Sequence, residues 1–171
     1  MEVNNANAFY HLAGFYEDGV MGMPLDFAKA NELYLRAGEL GCAEAYYNLG
    51  NSYLNGEGVE VDKKKAKHYW ELAAMNGDVF ARHNLGCDEL EAGNIGRAMK
   101  HFILAARARH KKSLDNVKVG FMTGYVTKDE YANTLRAFQS QRDEMKSIAR
   151  DKARARINND VLRAFRQLLN E

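Results

Sequence analysis

The stretch Ala43-Glu44-Ala45-Tyr46-Tyr47-Asn48-Leu49-Gly50-Asn51-Ser52-Tyr53-Leu54-Asn55-Gly56-Glu57-Gly58-Val59 echoes Ala8 to Met23, and its first half returns from Val79 to Gly86. Leu12, Leu49 and Leu85 lie 37 and then 36 residues apart, and Ala30, Ala66 and Ala98 lie 36 and then 32 apart. A period of this size is the mark of stacked helical hairpins, each too small to bury its own apolar face, so that neighbours share one core. Such a stack offers a long surface suited to holding another chain, more than a cavity for a small substrate.

Within a unit the pattern is two helices joined by unlike turns. Ala45, Tyr46, Leu49, Gly50 and Tyr53 recur at three- and four-residue steps and define one face of a first helix. Asn55-Gly56-Glu57-Gly58 ends it, because glycine takes the left-handed conformation of a helix C-terminus at little cost. Asp62 is placed to cap a second helix whose stripe is Ala66, Tyr69, Trp70, Ala73 and Ala74, and Asn76-Gly77 closes it before Asp78 opens the next unit.

The same reading gives helices over 6–17 and 26–39 in the first unit, with Asp26 as cap. A third unit has a short internal turn, Ala92-Gly93-Asn94, and a fourth is traced through Val117, Phe121 and Gly124 to a capping-box spacing at Thr127 and Glu130. Gly50 and Gly86, with Ala13 in the first unit, are the small residues expected where helix axes approach closely. The expected fold is all-α: a solenoid of about four hairpins (6–42, 43–78, 79–110, 111–148) with a helical extension over 149–171.

Composition sets limits on function. The chain has 171 residues, 46% of them hydrophobic, with one proline and no run of eighteen apolar residues, which predicts a mostly helical, non-membrane domain. Met1-Glu2-Val3-Asn4-Asn5 lacks the pattern of a secretory signal, so a cytoplasmic or nuclear location is expected. Cys42 and Cys87 fall at unmatched repeat positions and read as free thiols. A net charge of +1 hides an asymmetry: residues 1–96 carry 7 basic and 15 acidic side chains, whereas 97–171 carry 17 and 8. That polarity favours a charged partner or head-to-tail self-association.

The pattern A-x-A-x-x-x-L-G-x-x-Y-x-x-G-x-G-V-x-x-D-x-x-K-A, written here from Ala43 to Ala66, resembles the Sel-one-like (Sel1) repeat family, a branch of the tetratricopeptide-like helical repeats. The first unit departs from it at Ala13 and the third lacks the Gly-x-Gly-Val insert. The resemblance covers roughly residues 6 to 148 and implies a superhelix of antiparallel pairs acting as a non-catalytic adaptor for a protein or peptide partner. It also implies a binding face on the first helices. By register from the Leu-Gly positions that face holds Tyr10, Gly14 and Glu17, then Tyr47, Asn51 and Leu54, then His83, Cys87 and Leu90, with Asp115, Val119 and Met122 in the fourth unit. Tyr10 and Tyr47 are equally suited to wedging between adjacent helices.

Other chemistries are less well served. His83 and Cys87 share a helix face, yet two ligands fall short of the four of a structural metal site. No Gly-x-Ser-x-Gly elbow or phosphate loop is present, so no catalytic residue, metal or cofactor is expected. Arg107, Arg109, Lys111 and Lys112, followed by Arg142, Lys146, Arg150, Lys152, Arg154 and Arg156, form the basis of an alternative nucleic-acid reading, which the interleaved Asp143, Glu144 and Asp151 oppose. After a break expected at Asn158-Asn159-Asp160, Val161, Leu162, Phe165, Leu168 and Leu169 make an amphipathic helix that caps the stack or docks on a second copy.

Overall fold

A computed structural model describes the backbone of residues 2–168 and the side chains of residues 5–140, 143, 144, 146–152, 155 and 156. Eight helices are described: α1 (Glu2–Asp18), α2 (Phe27–Glu39), α3 (Ala43–Asn55), α4 (Lys63–Met75), α5 (Val79–Glu91), α6 (Ile95–Arg107), α7 (Lys111–Met122) and α8 (Lys128–Leu168). Each packs on the helix before and after it in the chain, except that α8 rests on both α6 and α7. The result is an all-α stack of hairpins, with first helices α1, α3, α5 and α7 and second helices α2, α4, α6 and α8. Among the described residues no helix is long and apolar enough to cross a membrane.

The caps are those the sequence marks. Asp26 accepts from the Lys29 amide, Asp62 from the Lys64 and Lys65 amides, and Asp78 from the Ala81 amide, each satisfying donors that a helix start leaves open. Thr127 and Glu130 exchange hydrogen bonds at the start of α8: the Glu130 amide donates to Thr127 Oγ1 and the Thr127 amide donates to the Glu130 carboxylate. The Gly56 backbone is left-handed and ends α3.

In each of the first three hairpins one aromatic ring forms the contact between the two helices. Tyr34, Trp70 and Phe102, 36 and 32 residues apart, are buried on α2, α4 and α6. Phe102 is fully enclosed, a burial worth about 1.5–3 kcal/mol. Trp70 and Phe102 each lie over a glycine: a β-carbon on Gly50 would come within 2.5 Å of Trp70, and one on Gly86 within 2.6 Å of Phe102. In the first hairpin the matching small residue is Ala13, fully buried as expected, and a β-carbon on the next residue, Gly14, would lie 3.9 Å from the Tyr34 hydroxyl. The first helices keep the 37-residue spacing of the leucines, since the Val20 and Glu57 amides donate to the Phe15 and Ser52 carbonyls, and the second helices are 36 apart because the turn from Tyr16 to Asp26 is one residue longer than that from Tyr53 to Asp62.

The long turn of the second unit is folded onto the first. Gly58, with a left-handed backbone, is pressed against Phe27 and Ala28 at the start of α2, and Asn31 donates 2.7 Å to the Glu57 carbonyl. The third unit has no such insert. Its turn is closed by Asn94, whose amide group donates 2.8 Å to Glu89, a buried carboxylate that also takes the Lys67 ammonium at 2.8 Å.

The end of the stack is covered by the first turns of α8. Thr134 is fully buried and Tyr131 stacks on Phe121 with centroids 4.9 Å apart. Beyond Ser140 the described side chains are exposed apart from the half-buried Ser147. The helix break expected at Asn158-Asn159-Asp160 is absent, and α8 is one helix of 41 residues. Asn and Asp cost only some tenths of a kcal/mol in a helix interior and, unlike proline, leave its hydrogen bonds intact. The side chains of Val161, Leu162, Phe165, Leu168 and Leu169 lie outside the described residues.

Candidate partner-binding groove

The side chains expected on the first-helix face divide into three settings. In α1, Tyr10 is half-buried against the Tyr34 ring, 5.8 Å between centroids, and the Tyr34 hydroxyl donates to the Glu17 carboxylate. Burial raises the pKa of both phenols. Tyr10 and Glu17 thus spend their contacts inside the first hairpin and its junction with the second.

In α3 and α5 the face is open. Asn51 Oδ1 accepts from Trp70 Nε1 at 3.1 Å and from Asn84 Nδ2 at 3.4 Å, which ties three helices together at the floor of the groove. Tyr47 leans on Phe80 with centroids 6.0 Å apart, and Phe80, 56% exposed, meets the edge of His110 at 5.4 Å. Leu54 and Leu90 remain exposed near the ends of their helices.

His83 and Cys87 lead towards α7. Cys87 Sγ lies 3.6 Å from His83 Nε2, while His83 Nδ1 lies 2.8 Å from the hydroxyl of buried Ser113. Burial, then His110 and Lys112, pushes the His83 imidazole down to about 4, and burial pushes the Cys87 thiol up. A raised thiol is a poor nucleophile. Among the described residues no three His, Cys, Asp or Glu side chains converge as metal ligands.

Two sockets open on this face, one repeat apart. The first, about 180 Å³, is lined by Leu54, Lys63, Trp70, Asn84, Cys87, Asp88 and Glu91. The second, about 150 Å³, includes Leu90, Ile95, Phe102, Asn116, Val119, Gly120 and Thr123, which are the same positions one unit on: 36 residues from Leu54 to Leu90 and 32 for each of the others. Met99 and Tyr125 complete it. Leu54, Cys87 and Leu90 were expected here from register, as was Val119. Asn84, Asn116 and the Trp70 edge were not, although the 32-residue recurrence of asparagine was readable in the sequence. Nothing in the repeat pattern singled out Phe80, His110 or Ser113.

The Sel1 repeat model matches residues 6–42, 43–78 and 80–110. The chain belongs to the Sel1 repeat family. Sel1 repeat proteins generally mediate protein–protein interactions. The chain is 32% identical over 102 residues to an exopolysaccharide production negative regulator of Rhizobium meliloti, covering 58% of this chain and 38% of that protein. It is 32% identical over 101 residues to the ERAD-associated E3 ubiquitin-protein ligase component HRD3B of Arabidopsis thaliana, covering 58% and 16%. The chain thus spans less than two fifths of the length of these curated relatives. A Sel1 repeat protein from Oxalobacter formigenes shares the fold, with a TM-score of 0.66 at 23% identity over 81% of this chain and 59% of that one.

Proposed function

We propose that this protein is a non-catalytic scaffold that holds a protein or peptide partner on the open face of α3, α5 and α7. The observation that carries this reading is the pair of equivalent sockets. Each is smaller than the roughly 300–1,000 Å³ of small-molecule sites, and each suits a single side chain of a longer ligand. Asn51 and Tyr47 support the groove from below, and Leu54, Leu90 and Phe80 supply exposed apolar area for contact. The relatives named as a regulator and as a ligase component are proteins for which such holding is a reasonable task.

The test is affinity capture from extract of the cells that make the protein, comparing the natural chain with the double substitution Leu54→Glu, Leu90→Glu. Both leucines are exposed, so the variant keeps its helical circular dichroism. Partners retained by the natural chain and lost by the variant support the groove; identical captures remove it.

A further inference from the structure

The two sockets share positions but not chemistry. In the first, the Trp70 edge is surrounded by Asn84, Asp88 and Glu91, against the single amine of Lys63. Asp88 is held by Lys67 at 2.8 Å, whereas Glu91 is exposed and takes part in no ion pair among the described residues. In the second, these positions have become Phe102, Asn116, Gly120 and Thr123, and Lys63 has become Ile95. Met99, Val119 and Tyr125 add further apolar surface. One socket therefore offers carboxylate and carbonyl acceptors beside an indole, and its neighbour offers almost nothing polar.

Resting on the groove reading above, we propose that the partner is an extended peptide segment carrying one basic and one large apolar side chain, the basic one in the Trp70–Glu91 socket and the apolar one in the Phe102–Val119 socket. A guanidinium satisfies this first socket through its planar fork of N–H groups, which reaches the Asp88 and Glu91 carboxylates and the Asn84 side chain, while its stem packs beside Leu54. The charge of the chain agrees, since residues 1–96 carry eight more acidic than basic side chains. The second socket gains mainly by removing apolar surface from water. Neighbouring packed helices stand about 10 Å apart, and an extended chain rises about 3.3 Å per residue, so the two side chains are about three positions apart. The same sockets in the reverse assignment would bury a charge against Ile95 and Met99 with no partner, at high cost.

A library of soluble peptides, each with one arginine and one leucine separated by zero to six residues in both orders, measures this directly by fluorescence polarisation. The expected winners carry the pair about three positions apart. Replacing their arginine by glutamate, or their leucine by aspartate, weakens binding about tenfold or more. Glu91→Lys should erase the preference for arginine while sparing that for leucine, and Val119→Asp should do the opposite; both sites are exposed and tolerate change. Groove-dependent binding with no basic–apolar pair overturns this proposal and leaves the scaffold reading standing. Binding unaffected by Leu54→Glu, Leu90→Glu, or no binding by any member, overturns it as well, and the capture experiment then decides the scaffold reading separately. A concentration-dependent mass in light scattering that the groove variant abolishes would assign the face to a second copy and also overturn it.

Discussion

His83 and His110 share one hydroxyl: their Nδ1 atoms lie 2.8 and 2.9 Å from Ser113 Oγ, and their ring centroids are 4.4 Å apart. The Ser113 amide also donates to His110 Nδ1, so that nitrogen acts as an acceptor and His110 is neutral. The pair joins the third hairpin to the fourth, with Phe80 and Phe102 against the rings, Cys87 on the far nitrogen of His83 and Lys112 nearby.

This junction predicts a pH dependence of stability. Burial, the neighbouring imidazole and Lys112 hold His83 down to about 4, and burial and Lys112 also lower His110. An unfolded histidine titrates near 6.5, so the unfolded chain takes up the proton first as pH falls. The stability held by the neutral pair is complete above about pH 6.5 and is lost between there and about pH 4. After allowance for partial solvent exposure, the loss is on the order of 1–2 kcal/mol. Thermal unfolding at pH 7.5 and 5.0 should show a smaller drop in Tm for His83→Gln than for the natural chain; equal drops would remove His83 as the cause.

Two glycines of the first helices should respond oppositely to alanine. A methyl at Gly50 meets Trp70 at 2.5 Å and the Ala66 carbonyl at 3.1 Å, so Gly50→Ala is expected to cost about 1–3 kcal/mol. At Gly14 the nearest atom is the Tyr34 hydroxyl at 3.9 Å, and Gly14→Ala is expected to gain up to about 1 kcal/mol from helix propensity. Urea unfolding of the two variants reads both signs, and destabilisation of equal size would contradict the difference in space beside the two glycines.

Features set by local spacing were readable in the sequence, and those set by contacts across a hairpin were not. Capping residues act within four positions of one another, so Asp26, Asp62, Asp78 and Thr127 could be located from local spacing. The alanine and leucine stripes were readable because each helix turns every 3.6 residues. The reach of the Tyr34 hydroxyl to Gly14 and Glu17 was hidden, since only contacts across the hairpin place it. Of the residues that register assigns to the groove, Asn51, Leu54 and Cys87 lie at or beside the first socket, whereas Tyr10 and Glu17 contact Tyr34. The Ser113 network depends on contacts 30 residues apart that follow no repeat.

The insert of the second unit should be intolerant of a side chain at Gly58. Its backbone φ is +70°, and a β-carbon would lie 2.5 Å from the Ala28 amide nitrogen, an atom of a helix start that cannot swing aside. Gly58→Ala is therefore expected to cost about 2–4 kcal/mol through left-handed strain and backbone collision together. Hydrogen exchange should show the loss concentrated in α2 and the α3–α4 turn; uniform loss across all hairpins would argue against the docking of this turn on α2.

The third unit replaces that insert by a single polar contact, and the replacement can be tested by removing either partner. Glu89 is 6% exposed and takes hydrogen bonds from Asn94 Nδ2 and Lys67 Nζ, both at 2.8 Å, and its carboxyl is held below the usual range by Lys67 first and Asn94 second. Asn94→Ala removes one donor and leaves the carboxylate served by Lys67, so a loss of about 1–2 kcal/mol is expected. Lys67→Met removes the link between the second and third hairpins and leaves Asp88 without its cation, beside a Glu89 served only by Asn94 and by the exposed Arg97 at 4.0 Å. It is therefore expected to cost more than Asn94→Ala at low salt, and the difference should shrink in 1 M salt, where like charges are screened. Equilibrium unfolding of both variants at the two ionic strengths distinguishes the hydrogen bond from the charge, and a salt-independent difference would assign the Lys67 contribution to its aliphatic stem.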